Sequence, residues 1–248
     1  MSATAYSEWI QIGKPVAMVF FTAVLAGVTA YYAHWVKKQT EILSQQTELL
    51  RQQTELLKQQ TQNLLEQNEK RFVNEYFIEP LFKLFTDWRM KLPQKQPEVN
   101  NLPPTLNYDA KEERVKLALS EINYNEEAKA LYLRKYPELE PELKSMEGYL
   151  NDLDGLVKKF NDDILNEPVM RKKVMDVINT DKAKSAVYDA SYMFSWLITS
   201  IKVGDVGSSG GLKNEPRITD IREQFIDVRD KLLDKIDKIE KEIKKKPY

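Results

Sequence analysis

Along this chain the apolar positions follow two regimes that meet with no helix breaker between them. From Val16 to Val36 every position is apolar, small or aromatic, apart from His34, which is uncharged unless protonated. Directly afterwards the pattern becomes a seven-residue repeat, TEILSQQ, TELLRQQ, TELLKQQ and TQNLLEQ, with Thr40, Thr47, Thr54 and Thr61 in register. At about 1.5 Å per residue, roughly 21 helical residues cover the ~30 Å hydrocarbon core of a bilayer. The pattern therefore predicts a short N-terminal segment over 1–15, a transmembrane helix over 16–36 and a coiled-coil-like stalk over 37–71.

Aromatic residues bracket the apolar span. Tyr6 and Trp9 precede it, and Tyr31, Tyr32 and Trp35 close it, as interfacial belts do. The small-residue run Ala26-Gly27-Val28-Thr29-Ala30 resembles a signal-peptide cleavage region, but the apolar run continues past it to Val36, which favours an anchor. Orientation follows from Lys37, Lys38 and Arg51 after the span, against Lys14 offset by Glu8 before it. The positive-inside rule then puts the C-terminal side in the cytoplasm, as a single-pass protein of the cell membrane.

Two seams run along the stalk. One alternates Thr40, Leu43, Thr47, Leu50, Thr54, Leu57, Thr61 and Leu64; the other uses Gln39, Ile42, Gln46, Leu49, Gln53 and Leu56. Threonine can satisfy its hydroxyl on its own helix backbone, whereas buried glutamine amides must find partners, so the first seam is preferred. Extended back through Val36, Ala33, Thr29, Ala26, Thr22 and Val19, it carries no charge from Val19 to Leu64. Small residues at Ala26, Thr29 and Ala33 let membrane helices approach closely. The candidate oligomer seam is thus Ala26, Thr29, Ala33, Leu43, Thr47, Leu50, Thr54, Leu57, Thr61 and Leu64, and it predicts a parallel homo-oligomer of open stoichiometry.

Beyond the stalk the apolar face thickens. Phe72, Tyr76, Phe77, Leu81, Phe82, Leu84, Phe85 and Trp88 predict a helix entering a core, with Pro80 kinking it or starting a new one. A proline-rich loop is expected over Pro93–Tyr108, then a helix capped by Asp109 from Ala110 to about Asn123, and a short one over Glu126–Tyr136. Leu139, Leu143, Met146, Leu150, Leu153, Val157, Phe160 and Ile164 mark one narrow stripe of the next helix. Further helices are expected over Pro168–Asn179 and Asp181–Lys202, the second burying Ala183, Val187, Ala190, Phe194, Leu197 and Ile201. These complete a helical-bundle domain over 72–202. A Gly/Ser-rich linker over 203–215 then leads to an amphipathic helix within 216–248, opened by Pro216 and striped by Ile218, Ile221, Phe225, Val228, Leu232, Ile236, Ile239 and Ile243. That helix either closes the bundle, the preferred placement, or folds back along the stalk. The class is all-α.

Composition adds constraints rather than an activity. In 248 residues the formal net charge is −1, which gives no bias toward nucleic acid, and cysteine is absent. A mean hydropathy of −0.54 makes the apolar span an exception in a polar chain. His34 is the only histidine, so histidine-based triads and di-iron sites are excluded, and the glycines match neither GxGxxG nor a Walker pattern. No catalytic, cofactor-binding or metal residue is expected, and no enzyme. Lys37, Lys38, Lys244, Lys245 and Lys246 are candidate contacts for anionic lipid. These features together predict a membrane-anchored oligomeric scaffold, tether or accessory subunit that displays a helical domain to another protein or membrane complex. The alternative is a sensor or effector that transmits binding along the stalk to the membrane helices, with a pore as one outcome.

Overall fold

The computed structural model describes residues 3–92, 103–184, 190–199, 212, 214–246 and 248, with side chains from 14 onward except 181–184. Among the described residues the chain is mostly helical, 85% helix and 4% strand, with one long helix near the N-terminus. It divides into two compact units, Met1–Gln67 and Asn68–Tyr248.

The first unit is a single helix. α1 spans Ala3–Val73, so Pro15, the heptad repeats and the apolar run all lie on one element. Pro15 is accommodated although it cannot donate a backbone hydrogen bond. Within this unit every described side chain is exposed. The side chains of Tyr6 and Trp9 lie outside the described set.

In the second unit α1 gives way to a π-helical turn, Asn74–Ile78, and then α2, Glu79–Lys91. Pro80 explains the turn. Its ring cannot bond to the carbonyl of Tyr76 four residues back, and that carbonyl instead accepts the Asn125 N–H at 2.9 Å. Asn125 in turn caps α3, Glu126–Lys135, its side chain accepting from the N–H groups of Glu127 and Ala128. A single proline thereby ties two distant segments together. Val73, Phe77, Leu81, Leu84, Phe85 and Trp88 form the buried face of this region.

The helix expected from Ala110 to Asn123 does not form, and the all-α expectation is corrected by a hairpin. β1, Leu106–Asp109, pairs antiparallel with β2, Arg114–Leu117. Asp109 still makes the capping bonds the sequence suggests, accepting from the N–H groups of Lys111 at 2.9 Å and Glu112 at 3.3 Å. The chain reverses one turn later, through Glu113 at φ 52°, because Leu106 and Val115 gain more by burial than one helical turn gains locally.

A two-stranded hairpin exposes two backbone edges. Here side chains close both. Ser195 and Ser191 accept the N–H groups of Leu106 and Tyr108 at 2.9 Å and 3.1 Å. On the other edge the buried Asn161 amide accepts from Val115 N–H at 2.9 Å and donates to its carbonyl at 2.8 Å. The strand end is pinned by Lys91 Nζ on the Ala118 carbonyl, 2.7 Å, and Trp88 Nε1 on the Ser120 carbonyl, 2.9 Å.

A 3-10 turn, Pro137–Leu139, leads into α4, Glu140–Phe160, which ends in a second π turn, Asn161–Leu165. The expected stripe is buried at Leu143, Met146, Leu153, Val157, Phe160 and Ile164, but Leu150 is half-buried and Leu156 is buried in addition. α5 runs Pro168–Lys184 without the break expected near Asp181, and α6 is Ala190–Thr199, with Ala190, Phe194 and Leu197 buried as expected. Val187 and Ile201, the side chain of Ala183, most of the linker and residues 93–102 of the proline-rich loop lie outside the described residues.

The last helix, α7, is Pro216–Lys245. It lies antiparallel along α4, since Lys159 meets Asp220 at one end, 2.9 Å, and Lys238 meets Glu142 at the other, 2.6 Å. Its stripe is buried within this unit from Ile218 to Ile243, except that Val228 is half-buried and Arg229 is buried beside it. The bundle-closing placement is the one found.

Candidate functional site

Chemistry offers little foothold in the second unit. Among the described residues no group of three or more His, Cys, Asp or Glu could hold a metal ion. One polar cluster that sequence reasoning missed is Tyr124, Lys129 and Glu147. Tyr124 O–H donates to Glu147 at 2.7 Å and Lys129 Nζ donates at 3.1 Å, beside a shallow depression of about 250 Å³. Burial, then the neighbouring Glu147, pushes the Tyr124 phenol well above its ordinary value. The three groups join the segment before α3 to α4, which is a structural tether. Only the fold could reveal it, because the partners lie far apart in sequence.

The five lysines proposed for lipid divide into two sets. Lys37 and Lys38 are exposed on α1. Lys244, Lys245 and Lys246 each bond a carboxylate: Lys244 to Glu240 at 2.6 Å, Lys245 to Glu242 at 3.0 Å and Lys246 to Glu138 at 2.6 Å. The Glu138 hydrogen bond raises the Lys246 pKa, and the same bond lowers that of Glu138. The C-terminal lysines thus neutralise acids of their own unit.

The candidate site with the most open surface is α1 itself. One helix among the described residues, within Lys14–Lys91, is long and apolar enough to cross a membrane, and none of its most apolar stretch is buried. Below it the heptad leucines stand equally open: Leu43, Leu50 and Leu57 are 61%, 63% and 62% exposed, and Leu49 and Leu56 are 57% and 58%. Exposure therefore does not choose between the two seams.

The threonines carry the clearer signal. Thr29, Thr40, Thr47, Thr54 and Thr61 each donate to the carbonyl four residues back, on Leu25, Val36, Leu43, Leu50 and Leu57, at 2.8 to 2.9 Å. Each hydroxyl is satisfied inside its own helix. Covering Ala26, Thr29, Ala33, Leu43, Thr47, Leu50, Thr54, Leu57, Thr61 and Leu64 would then strand no donor, and the usual cost of burying polar groups is avoided. Charges stay off this face. Arg51 lies just beyond the threonine row and pairs with Glu48 at 3.1 Å, and that bond, followed by one from Gln52, lowers the Glu48 pKa.

Comparison with known proteins returns no matching family model, no matching curated protein and no matching solved structure.

Proposed function

We propose that this chain is a membrane-anchored, self-associating scaffold, tether or accessory subunit that displays a helical domain for contact with another protein or membrane complex. One observation carries the reading: a single helix bears both the uncharged apolar run and, in register with it, a threonine–leucine face whose hydroxyls are already satisfied. Lipid covers Val16–Val36, and parallel copies of the chain cover the seam from Ala26 to Leu64. Lys37 and Lys38 sit at the cytoplasmic interface against anionic headgroups, each worth about 1 kcal/mol there. The second unit faces the cytoplasm and performs no catalysis.

Two measurements test this. Alkaline carbonate extraction should leave the full chain in the membrane pellet, with its N-terminus uncleaved; a mature chain beginning at Tyr31 would make the protein secreted instead. Replacing Leu50 and Leu57 with Lys should dissociate the detergent-solubilised oligomer, because two charges would enter a face that carries none. A native chain that is already monomeric by light scattering would end the self-association reading.

A further inference from the structure

The residues after α7 make contacts that closing the bundle does not require. The α7 stripe is already buried at Ile236, Ile239 and Ile243, and the helix ends at Lys245. Lys246 and Tyr248 then meet α3 and the turn that follows it. The Lys246 carbonyl accepts the Tyr132 hydroxyl at 3.1 Å, and the Lys246 ammonium bonds Glu138 at 2.6 Å. The Tyr248 ring centre lies 6.1 Å from that of Tyr132, and the Lys135 ammonium sits 4.6 Å from it. The Tyr248 phenol also hydrogen-bonds Glu69, in the last turns of α1.

Tyr132 makes this end of the unit sensitive to those contacts. It is fully buried, its ring centre 5.5 Å from that of Phe77 and 5.0 Å from that of Tyr136. A buried hydroxyl needs an acceptor, and here one comes from a residue beyond the bundle helices. The other attachments are of a kind that water replaces readily. Lys135 and Glu138 are exposed and Tyr248 is half-buried, and ion pairs and cation–π contacts at such positions are weak. α7, by contrast, is held by its buried apolar stripe. Local opening begins where buried apolar contacts are fewest.

We infer that Lys246 and Tyr248 form a strap that opens and closes on α3 while the helical core stays folded. Closed, it covers Tyr132 and joins α3 to the last turns of α1. Open, it uncovers Tyr132 and Tyr136 and frees Glu69. Both attachments share one tyrosine, so anything that draws Tyr248 away loosens α1 and α3 together. Burial, then the charge of Glu69, holds the Tyr248 phenol above its ordinary value, which keeps it the donor in that bond. The second unit thereby carries a movable part beside its first residues.

Hydrogen exchange on the full chain in mild detergent tests the strap. Y248A should quicken amide exchange several-fold at 131–135 of α3 and at 70–73 of α1, with Ile236 and Ile239 of α7 as slow as before. Y248F keeps the ring on Tyr132 but loses the hydroxyl, so it should quicken the α1 amides and leave those of α3 near native. Unchanged exchange in either segment of Y248A overturns the strap, because the contacts then hold nothing. Equal quickening along α4 and α7 overturns it as well, because Lys246 and Tyr248 would then belong to the core.

Discussion

The hairpin hangs on the buried amide of Asn161, which answers both the N–H and the carbonyl of Val115. Replacing Asn161 with Leu keeps the volume but strands two buried backbone groups, at about 1–3 kcal/mol each. Urea unfolding followed by the fluorescence of buried Trp88 and Trp196 should move to lower denaturant, and amide exchange at Val115 should accelerate. Unchanged exchange at Val115 would mean that water replaces the amide without penalty. Glu142 offers a second single-residue test. Hydrogen bonds from Lys235, then from Lys238, hold its carboxyl below the ordinary value of 4.5. A carboxylate depressed in the folded state contributes stability above its unfolded pKa and loses it as pH falls through the folded one. E142Q should therefore melt below the native chain at pH 7, and the difference should begin to shrink as pH falls toward the ordinary value of 4.5 and vanish only once pH has fallen through the lower folded value. A gap that persisted at low pH would assign the loss to packing instead.

At the scale of elements, what the sequence revealed depended on whether the deciding contact was local. The stripes of α4 and α7 were legible because a 3.6-residue period needs only the chain itself. Arg229, buried beside a half-exposed Val228, escaped because a long side chain can bury its stem on a face that hydropathy assigns to solvent. The hairpin was illegible for a related reason. Asp109 and Glu112 form a plausible helix start, and the alternation of Leu106 with Tyr108 is too short to outweigh it. The edges that stabilise β1 and β2 come from Ser191, Ser195 and Asn161, remote in sequence. On α1 the repeat, the charge-free face and the threonine back-bonds were all readable, since each repeats within one helix. Asn125 marks where a local and a remote role coincide. Its side chain caps α3, and its N–H serves the carbonyl that Pro80 leaves free. Asn125→Ala should cost about 1 kcal/mol through the cap alone, with the backbone bond to Tyr76 retained. Hydrogen exchange should then quicken in the first turn of α3 and stay slow in α2. Equal loosening of both would show that the side chain, and not the backbone, joins them.

For the whole molecule, the proposed self-association raises the question of how so weak a seam would hold copies together. Thr and Gln alternating with Leu give each heptad little apolar area to bury, and the repeat is short, so the stalk in free solution associates poorly. An anchor changes the terms. It would fix every copy in the same direction and confine it to a surface, which would make the second contact effectively intramolecular and raise the local concentration. In the proposed assembly the charge-free face running on through Thr29 and Ala26 would add packing inside the bilayer, where small residues allow close approach. Removing residues 1–36 should therefore leave the Asn68–Tyr248 unit folded, because that unit is compact by itself. Association of the remainder should weaken by about 100-fold or more, on the order of what linkage to a common surface supplies. Sedimentation of residues 37–248 across a concentration series, compared with the full chain in detergent, measures the difference. A truncated chain that assembles as tightly as the full one would place all of the association energy in the stalk and leave the membrane helices as anchors alone.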